Sequence, residues 1–282
     1  MEYGIQMYSV RDFTKDDLDG ALRQVSELGY KFVEFAGFFG HSAEDVKAML
    51  DKYGLRVSGT HTGWQEVAEH FEETVAYHKI IGNKNIIVPG ADLSDQKKLD
   101  AFVEMANEFQ PKLAAEGISF GYHNHAHEFR PNVDGSMIHD QLVYRTNLNI
   151  EIDTYWAYVG MGHPVELMER LKDRLQVIHI KDGDAQGNGT PLGMGTAPVA
   201  DVYKKAIELM ERLKDRLHVI HIKDGDAAGN GKPLGLGTAP VAEVYKKAVE
   251  MGIPMVVESE TCNPDGMTEA KICIEYLKSL EK

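Results

Sequence analysis

Basic residues are scarce in this chain relative to acidic ones. Thirty Lys and Arg stand against 44 Asp and Glu, a formal net charge of −14 over 282 residues. No run of Lys or Arg accumulates, and a nucleic-acid partner needs a basic face to neutralise phosphates, so that class of function is disfavoured. Cysteine is nearly absent. Cys262 and Cys273 alone make no disulfide framework, and free thiols in a reducing cytosol are the expected state. No stretch approaches the ~18 apolar residues of a membrane span. The start, "MEYGIQMYSVRDF", lacks the charged region and long apolar core of a signal peptide. The expectation is a soluble, cytoplasmic protein without a membrane partner. Also missing are the GxxxxGK[ST] phosphate loop, the GxSxG elbow and the HExxH helix, which removes three familiar enzyme chemistries.

What is present is 43% hydrophobic residues, ample for a sizeable core, arranged as short apolar strands alternating with amphipathic helical segments. Strands are expected at 4–10, 32–37, 57–63, 85–90, 119–125, 149–153, 177–182, 219–224 and 255–260. Between the first two lies "TKDDLDGALRQVSELG", with Thr14 as candidate N-cap and Gly29 as its stop. This alternation predicts βαβ units and a parallel sheet, and eight such units close a (β/α)₈ barrel. Residues 1–282 read as one such domain. Nine strands are counted, and the ninth comes from a repeat.

"VIHIKDGD" occurs at 177–184 and again at 219–226, inside a tandem repeat of 42 residues, 166–207 followed by 208–249. Only six positions differ between the copies, which marks a recent or deliberate duplication of one helix–strand–loop–helix module. Two copies do not make a solenoid.

In a parallel barrel, alternate strand residues face the interior. Asn149, Glu151 and Asp153 alternate with Ile150 and Ile152; Val177, His179 and Lys181 with Ile178 and Ile180; Val256, Glu258 and Glu260 with Met255 and Val257. Earlier strands add Gln6, Tyr8, Glu34, His61 and the run His123, His125, His127. The pattern predicts a ring of carboxylates and imidazoles at the C-terminal mouth, where barrel active sites sit. Burying several ionisable groups together is costly unless they pair or bind a cation. Mixed Asp, Glu and His donors suit one divalent metal ion such as Mn²⁺, Zn²⁺, Mg²⁺ or Co²⁺. The glycines of "GNGTPLGMG" do not follow the GxGxxG spacing and read as a loop over the mouth.

At these residues the sequence resembles the xylose-isomerase-like sugar phosphate isomerase/epimerase family. The similarity runs through "GIQMYSVRD", "VEFAG", "SGTHTG", "GYHNHAHEF", "EIDTYWA", "HIKD" and "VVESE", nearly the whole chain apart from one repeat copy. The resemblance implies a TIM barrel with one divalent metal at its mouth. It also implies interconversion of keto sugars or related polyols by proton transfer next to a carbonyl. Carried onto this chain, it makes Asp153, either His179 or His221, and Glu258 the metal ligands. Glu258 doubles as the base, and Glu128 or His123 serves the opposite face. Lys181 or Lys223 is placed to neutralise oxyanion charge or to pair with a carboxylate. Gln6, His61, His123 and Trp156 are candidate contacts to a small-molecule sugar. Family epimerases usually carry Glu at the fifth strand end, where this chain has His123. That departure keeps a metal-dependent keto-polyol dehydratase open beside the isomerase, and an inactive barrel scaffold open beside both.

The second copy poses a topological question. Eight strands leave one slot between the strands of Asp153 and Glu258, so the spare module must loop out, exchange into another chain, or enter the wall as a ninth strand. An extra strand changes strand number and shear together. The expectation is therefore eight strands with one module displaced, and exchange would make a homo-oligomer. The junction 198–217 contains no Gly and no internal Pro, which predicts a single long helix.

Overall fold

The structure is a computed structural model. It describes residues 1–132, 134–179, 182–183, 185–186, 189–190, 196–213, 219–225, 231–237, 241–259, 262 and 264–281. Nine parallel strands close a barrel: β1 (Tyr3–Gln6), β2 (Phe32–Phe35), β3 (Arg56–His61), β4 (Asn85–Val88), β5 (Ser119–His123), β6 (Asn149–Asp153), β7 (Leu175–His179), β8 (Ile220–Ile222) and β9 (Met255–Val257). Each strand is followed by an outer helix. In chain order these are α1 (Leu18–Leu28), α2 (Ala43–Tyr53), α3 (Phe71–Ile81), α4 (Gln96–Ala115), α5 (Ile138–Arg145), α6 (Pro164–Leu171), α7 (Val199–Leu213), α8 (Val241–Met251) and α9 (Gly266–Ser279). The fold is a TIM barrel with one unit more than the usual eight. Among the described residues no helix is long and apolar enough to cross a membrane.

Local chemistry sets the helix ends. The Asp17 side chain accepts from Gly20 N at 2.8 Å to cap α1, and Gly29 ends it with φ of 108°, a left-handed conformation that suits glycine. Thr14 does not cap this helix; it closes a preceding short turn, Arg11–Thr14, and Asp17 with its stronger acceptor takes the role. Ser42, Asp95 and Asp265 cap α2, α4 and α9 in the same way.

The expected displacement of one module does not occur. β7 and β8, one from each copy, pair with each other, and β8 pairs with β9. Neither copy is looped out, and the apolar strand edge that argued for exchange between chains is satisfied inside one barrel. The repeat is a complete βα unit in permuted form, so inserting it preserves the alternation of strand and helix. Helix α7, Val199–Leu213, spans the copy junction, as its sequence predicts, and residues 214–217 of the expected helix lie outside the described residues. Asp182–Gly183 with Gly189–Thr190, and Asp224–Gly225 with Gly231–Lys232, form equivalent antiparallel ladders in the two copies. The rest of "GNGTPLGMG" lies outside the described residues.

Inside the barrel, Phe32, Val177, Val219 and Val256 make one buried apolar cluster below the polar strand ends. Gly4 gives Phe32 its room, since a Cβ at that position would lie 2.2 Å from the Phe32 ring. Replacing Gly4 with Ala overpacks this layer and is expected to cost about 1–3 kcal/mol, measured by urea denaturation.

His78 on α3 is buried, with Nδ1 3.1 Å from Asn83 Nδ2, and burial lowers its pKa to about 4. The unfolded chain binds this proton more readily than the folded one. Its stabilising effect is therefore present above about pH 6.5 and lost as the pH falls toward about 4, by about 3 kcal/mol. His78→Gln should flatten that part of the stability–pH profile relative to the parent chain.

Candidate active site in the barrel mouth

Alternation along the strands delivers one polar side chain after another to a single layer. β1 supplies Gln6, β2 Glu34, β3 His61, β5 His123, β6 Glu151, β7 His179 and β8 His221, while Glu258 follows β9 with its N–H donating to Ile222 O at 3.0 Å. His179 and His221 are register partners. Identical residues on adjacent in-register strands reach the same height, and their rings stack with centroids 4.1 Å apart and planes 22° apart.

Glu151 lies at the centre and is 1% exposed. Its Oε1 sits 3.0 Å from His61 Nε2, 3.0 Å from His123 Nδ1 and 3.1 Å from His179 Nε2. Glu258 Oε2 lies 3.1 Å from His179 Nδ1 and 3.2 Å from His221 Nδ1. His221 Nε2 is 3.1 Å from Glu34 Oε2, while Glu34 Oε1 accepts from Gln6 Nε2 at 2.9 Å. Three carboxylates and four imidazoles thus form one continuous network.

Burial and charge compete at Glu151 and at the four imidazoles. Burial raises the Glu151 carboxyl, but His179 and His61 beside it hold it well below the usual carboxylate range. Burial depresses His179, yet the carboxylates, Glu258 first, push it up to about 9. Burial also depresses His221 and His61, but their carboxylate neighbours together raise both, Glu34 and Glu258 at His221 and Glu151 and Glu34 at His61. His123 is lowered because burial wins there.

The donor set fits a divalent cation. His123, Glu151 and His179 offer ligand atoms within 4.8 Å of one another, as do His179, His221 and Glu258, and Glu34, Glu151 and His221. Several of these buried atoms make no well-aligned hydrogen bond among the described residues: Glu151 Oε2, His123 Nδ1 and both ring nitrogens of His179. Imidazole and carboxylate together suit Zn²⁺, Mn²⁺ or Co²⁺.

The residues singled out in the sequence are only partly brought together. Gln6, His61, His123, His179, Glu258 and Trp156 line one cleft of about 610 Å³, with Tyr8 and Arg11 also on its wall. Its volume suits a small-molecule ligand. His221 is behind that wall, and Lys223 Nζ stands 3.7 Å from Glu258 Oε1. Asp153 Oδ1 accepts from Tyr155 N at 3.1 Å and Trp156 N at 2.9 Å, capping a short helix, with Oδ2 3.9 Å from His179 Nδ1. Glu128 is turned away from the cleft. It accepts from Tyr122 Oη at 2.7 Å and from His125 N at 2.9 Å, on the helix-facing side of β5. Lys181 and Glu260 lie outside the described residues.

Glu34 and Glu151 were read as members of the inward ring but given no ligand or catalytic role of their own. The available signal was a charged residue between apolar neighbours in mid-strand, as in Ile150-Glu151-Ile152. Such a charge is not buried unless something compensates it.

Several known proteins share this architecture. The chain is 25% identical over 192 residues to inosose dehydratase of Geobacillus kaustophilus (strain HTA426), a match covering 58% of this chain and 61% of that protein. It therefore spans less than two thirds of the length of that relative. A sugar phosphate isomerase/epimerase from Parabacteroides distasonis ATCC 8503 superposes with TM-score 0.64 at 23% identity, covering 98% of this chain and 96% of the other. A probable 3-DHS dehydratase from Bacillus anthracis superposes with TM-score 0.60 at 13% identity over 99% of both chains. At these identities the two structures speak for the fold alone. Residues 22–209, more than half of the chain, match the sequence model of the xylose isomerase-like TIM barrel, and the chain belongs to that family.

Proposed function

We propose that this barrel is a divalent-metal-dependent isomerase or epimerase acting on a keto sugar or related polyol. The observation that carries the reading is the pairing of Glu258 with His179 on the wall of the cleft, directly against the His123–Glu151–His179 group. His123, Glu151 and His179 would hold the cation, whose chemistry when bound is to polarise the substrate carbonyl and stabilise negative charge on its oxygen. Asp153 Oδ1 caps the turn that follows β6, and its Oδ2 lies 3.9 Å from His179 Nδ1, beside this group.

Glu258 acts as the base. Its carboxylate takes the proton from the carbon next to the carbonyl, the C–H electron pair moves into the new C=C bond, and the carbonyl electrons go to oxygen, giving an enediolate. Returning the proton to the neighbouring carbon, while the hydroxyl proton passes to the former carbonyl oxygen, isomerises the sugar; epimerisation requires a second acid to protonate the same carbon from the opposite face. Lys223, close to Glu258 Oε1, favours the ionised carboxylate that the first step needs. Gln6 and His61 offer hydrogen bonds to substrate hydroxyls, and Trp156 presents an aromatic wall. The resemblance to inosose dehydratase favours a second reading, in which the same proton abstraction is followed by loss of a β-hydroxyl as water.

Incubation with candidate ketoses and inosose-like polyols in D₂O, followed by NMR, separates these outcomes. Deuterium at the α-carbon with a new ketose or epimer marks an isomerase, and an unsaturated product marks a dehydratase. Glu258→Gln is expected to lower kcat by about 10²–10⁴-fold with the fold intact, and full turnover in that variant would remove Glu258 as the base. Dialysis against chelator should abolish turnover, and Mn²⁺ or Zn²⁺ should restore it.

A further inference from the structure

We propose that the duplicated strand gives this barrel a second divalent-cation site, formed by Glu34, Glu151 and His221, adjoining the cleft-facing site of His123, Glu151 and His179. The inference rests on the metal-dependent reading above and extends it from one cation to a pair bridged by Glu151.

His179 and His221 stand side by side because both copies of the module entered the wall. His221 Nε2 points at Glu34 Oε2, 3.1 Å away, and its Nδ1 is held by Glu258 Oε2 at 3.2 Å. A carboxylate on one ring nitrogen fixes which nitrogen faces a cation, and this is how metal-binding histidines are normally oriented. His179 stands in the same surroundings without aligned hydrogen bonds: Nδ1 lies 3.1 Å from Glu258 Oε2, and Nε2 lies 3.1 Å from Glu151 Oε1. Glu258 Oε2 thus holds His221 by a hydrogen bond and lies within ion-pair range of His179.

Glu151 supplies the independent sign. Its Oε1 is crowded by three imidazole nitrogens, whereas its equally buried Oε2 has no hydrogen-bond partner among the described residues. A carboxylate used this unevenly in a closed interior has an oxygen left for a ligand. Bridging two cations about 3.5–4 Å apart would employ both oxygens. Each site would then have three protein donors, the number typical of sites that keep an open position. The 4.1 Å stacking of His179 on His221 places the two sites side by side.

The test loads the full chain with Mn²⁺ alone, removes excess by gel filtration, and counts metal per chain by elemental mass spectrometry. The parent protein should hold about two ions, and His221→Gln and Glu34→Gln should each hold about one. His123→Gln should also hold one, from the opposite site. Electron paramagnetic resonance should show exchange-coupled manganese in the parent and an uncoupled spectrum in each single-site variant. Using Glu34→Gln beside His221→Gln guards against a folding defect in either, checked by circular dichroism. One ion in the parent, lost in His123→Gln and kept in His221→Gln, overturns this inference and leaves the metal-dependent reading standing. One ion lost in His221→Gln also overturns it, since a single site then uses the His179–His221–Glu258 group. Two ions unaffected by His221→Gln overturn it as well, and no bound metal overturns both readings.

Discussion

Three carboxylates, Glu34, Glu151 and Glu258, share one buried layer of the barrel, and the rest of the interior is arranged around their charge. Taking each out of water carries a penalty of several kcal/mol even after relaxation, on the order estimated for buried ions generally. Four imidazoles stand within about 3 Å of them. The same electrostatic demand raises His61, His179 and His221 and lowers Glu151. A divalent cation answers that demand as directly as protons do, so the layer is built for positive charge of one kind or the other. Its cleft-facing side exposes His61, His123, His179 and Glu258, and the apolar layer of Phe32, Val177, Val219 and Val256 closes it from below.

The duplication is accommodated because a βα unit is the natural increment of this architecture. A spare strand outside the barrel leaves backbone groups and apolar side chains without partners, whereas a ninth strand in the wall satisfies both. The wider interior that a ninth strand creates is occupied at the bottom by Val219 and at the top by His221, each beside its counterpart from the first copy. The insertion thus changes the site as well as the frame, since it sets a second histidine against Glu34 and Glu258.

Much of this was legible in the strand pattern. The inward positions of His179, Glu258, Gln6 and His61 follow from a period of two, and Gly29 and the α7 junction follow from helix-end chemistry and the absence of breakers. Other assignments depended on how the chain turns just beyond each strand end and on which strands become neighbours. Asp153, which the family resemblance made a ligand, spends one oxygen on the first turn of the following helix. Glu128 was close to His123 in the chain, but the turn after β5 swings it onto Tyr122 and away from the cleft. Glu151 was visible only as one of several inward residues. Its central place arises because three other strands aim imidazoles at it.

By itself, then, the amino-acid sequence determined the alternation of strands and helices, the caps that bound the helices, and the register that turns polar side chains inward. These are local properties, set by periods of two and 3.6 residues and by short-range hydrogen bonds. Only the tertiary structure decided that the barrel has nine strands, that the two copied histidines stack, and that Glu151 and Glu34 join them. Those outcomes depend on which strands become neighbours and at what register, and strand pairing is a long-range choice made by closure of the whole sheet.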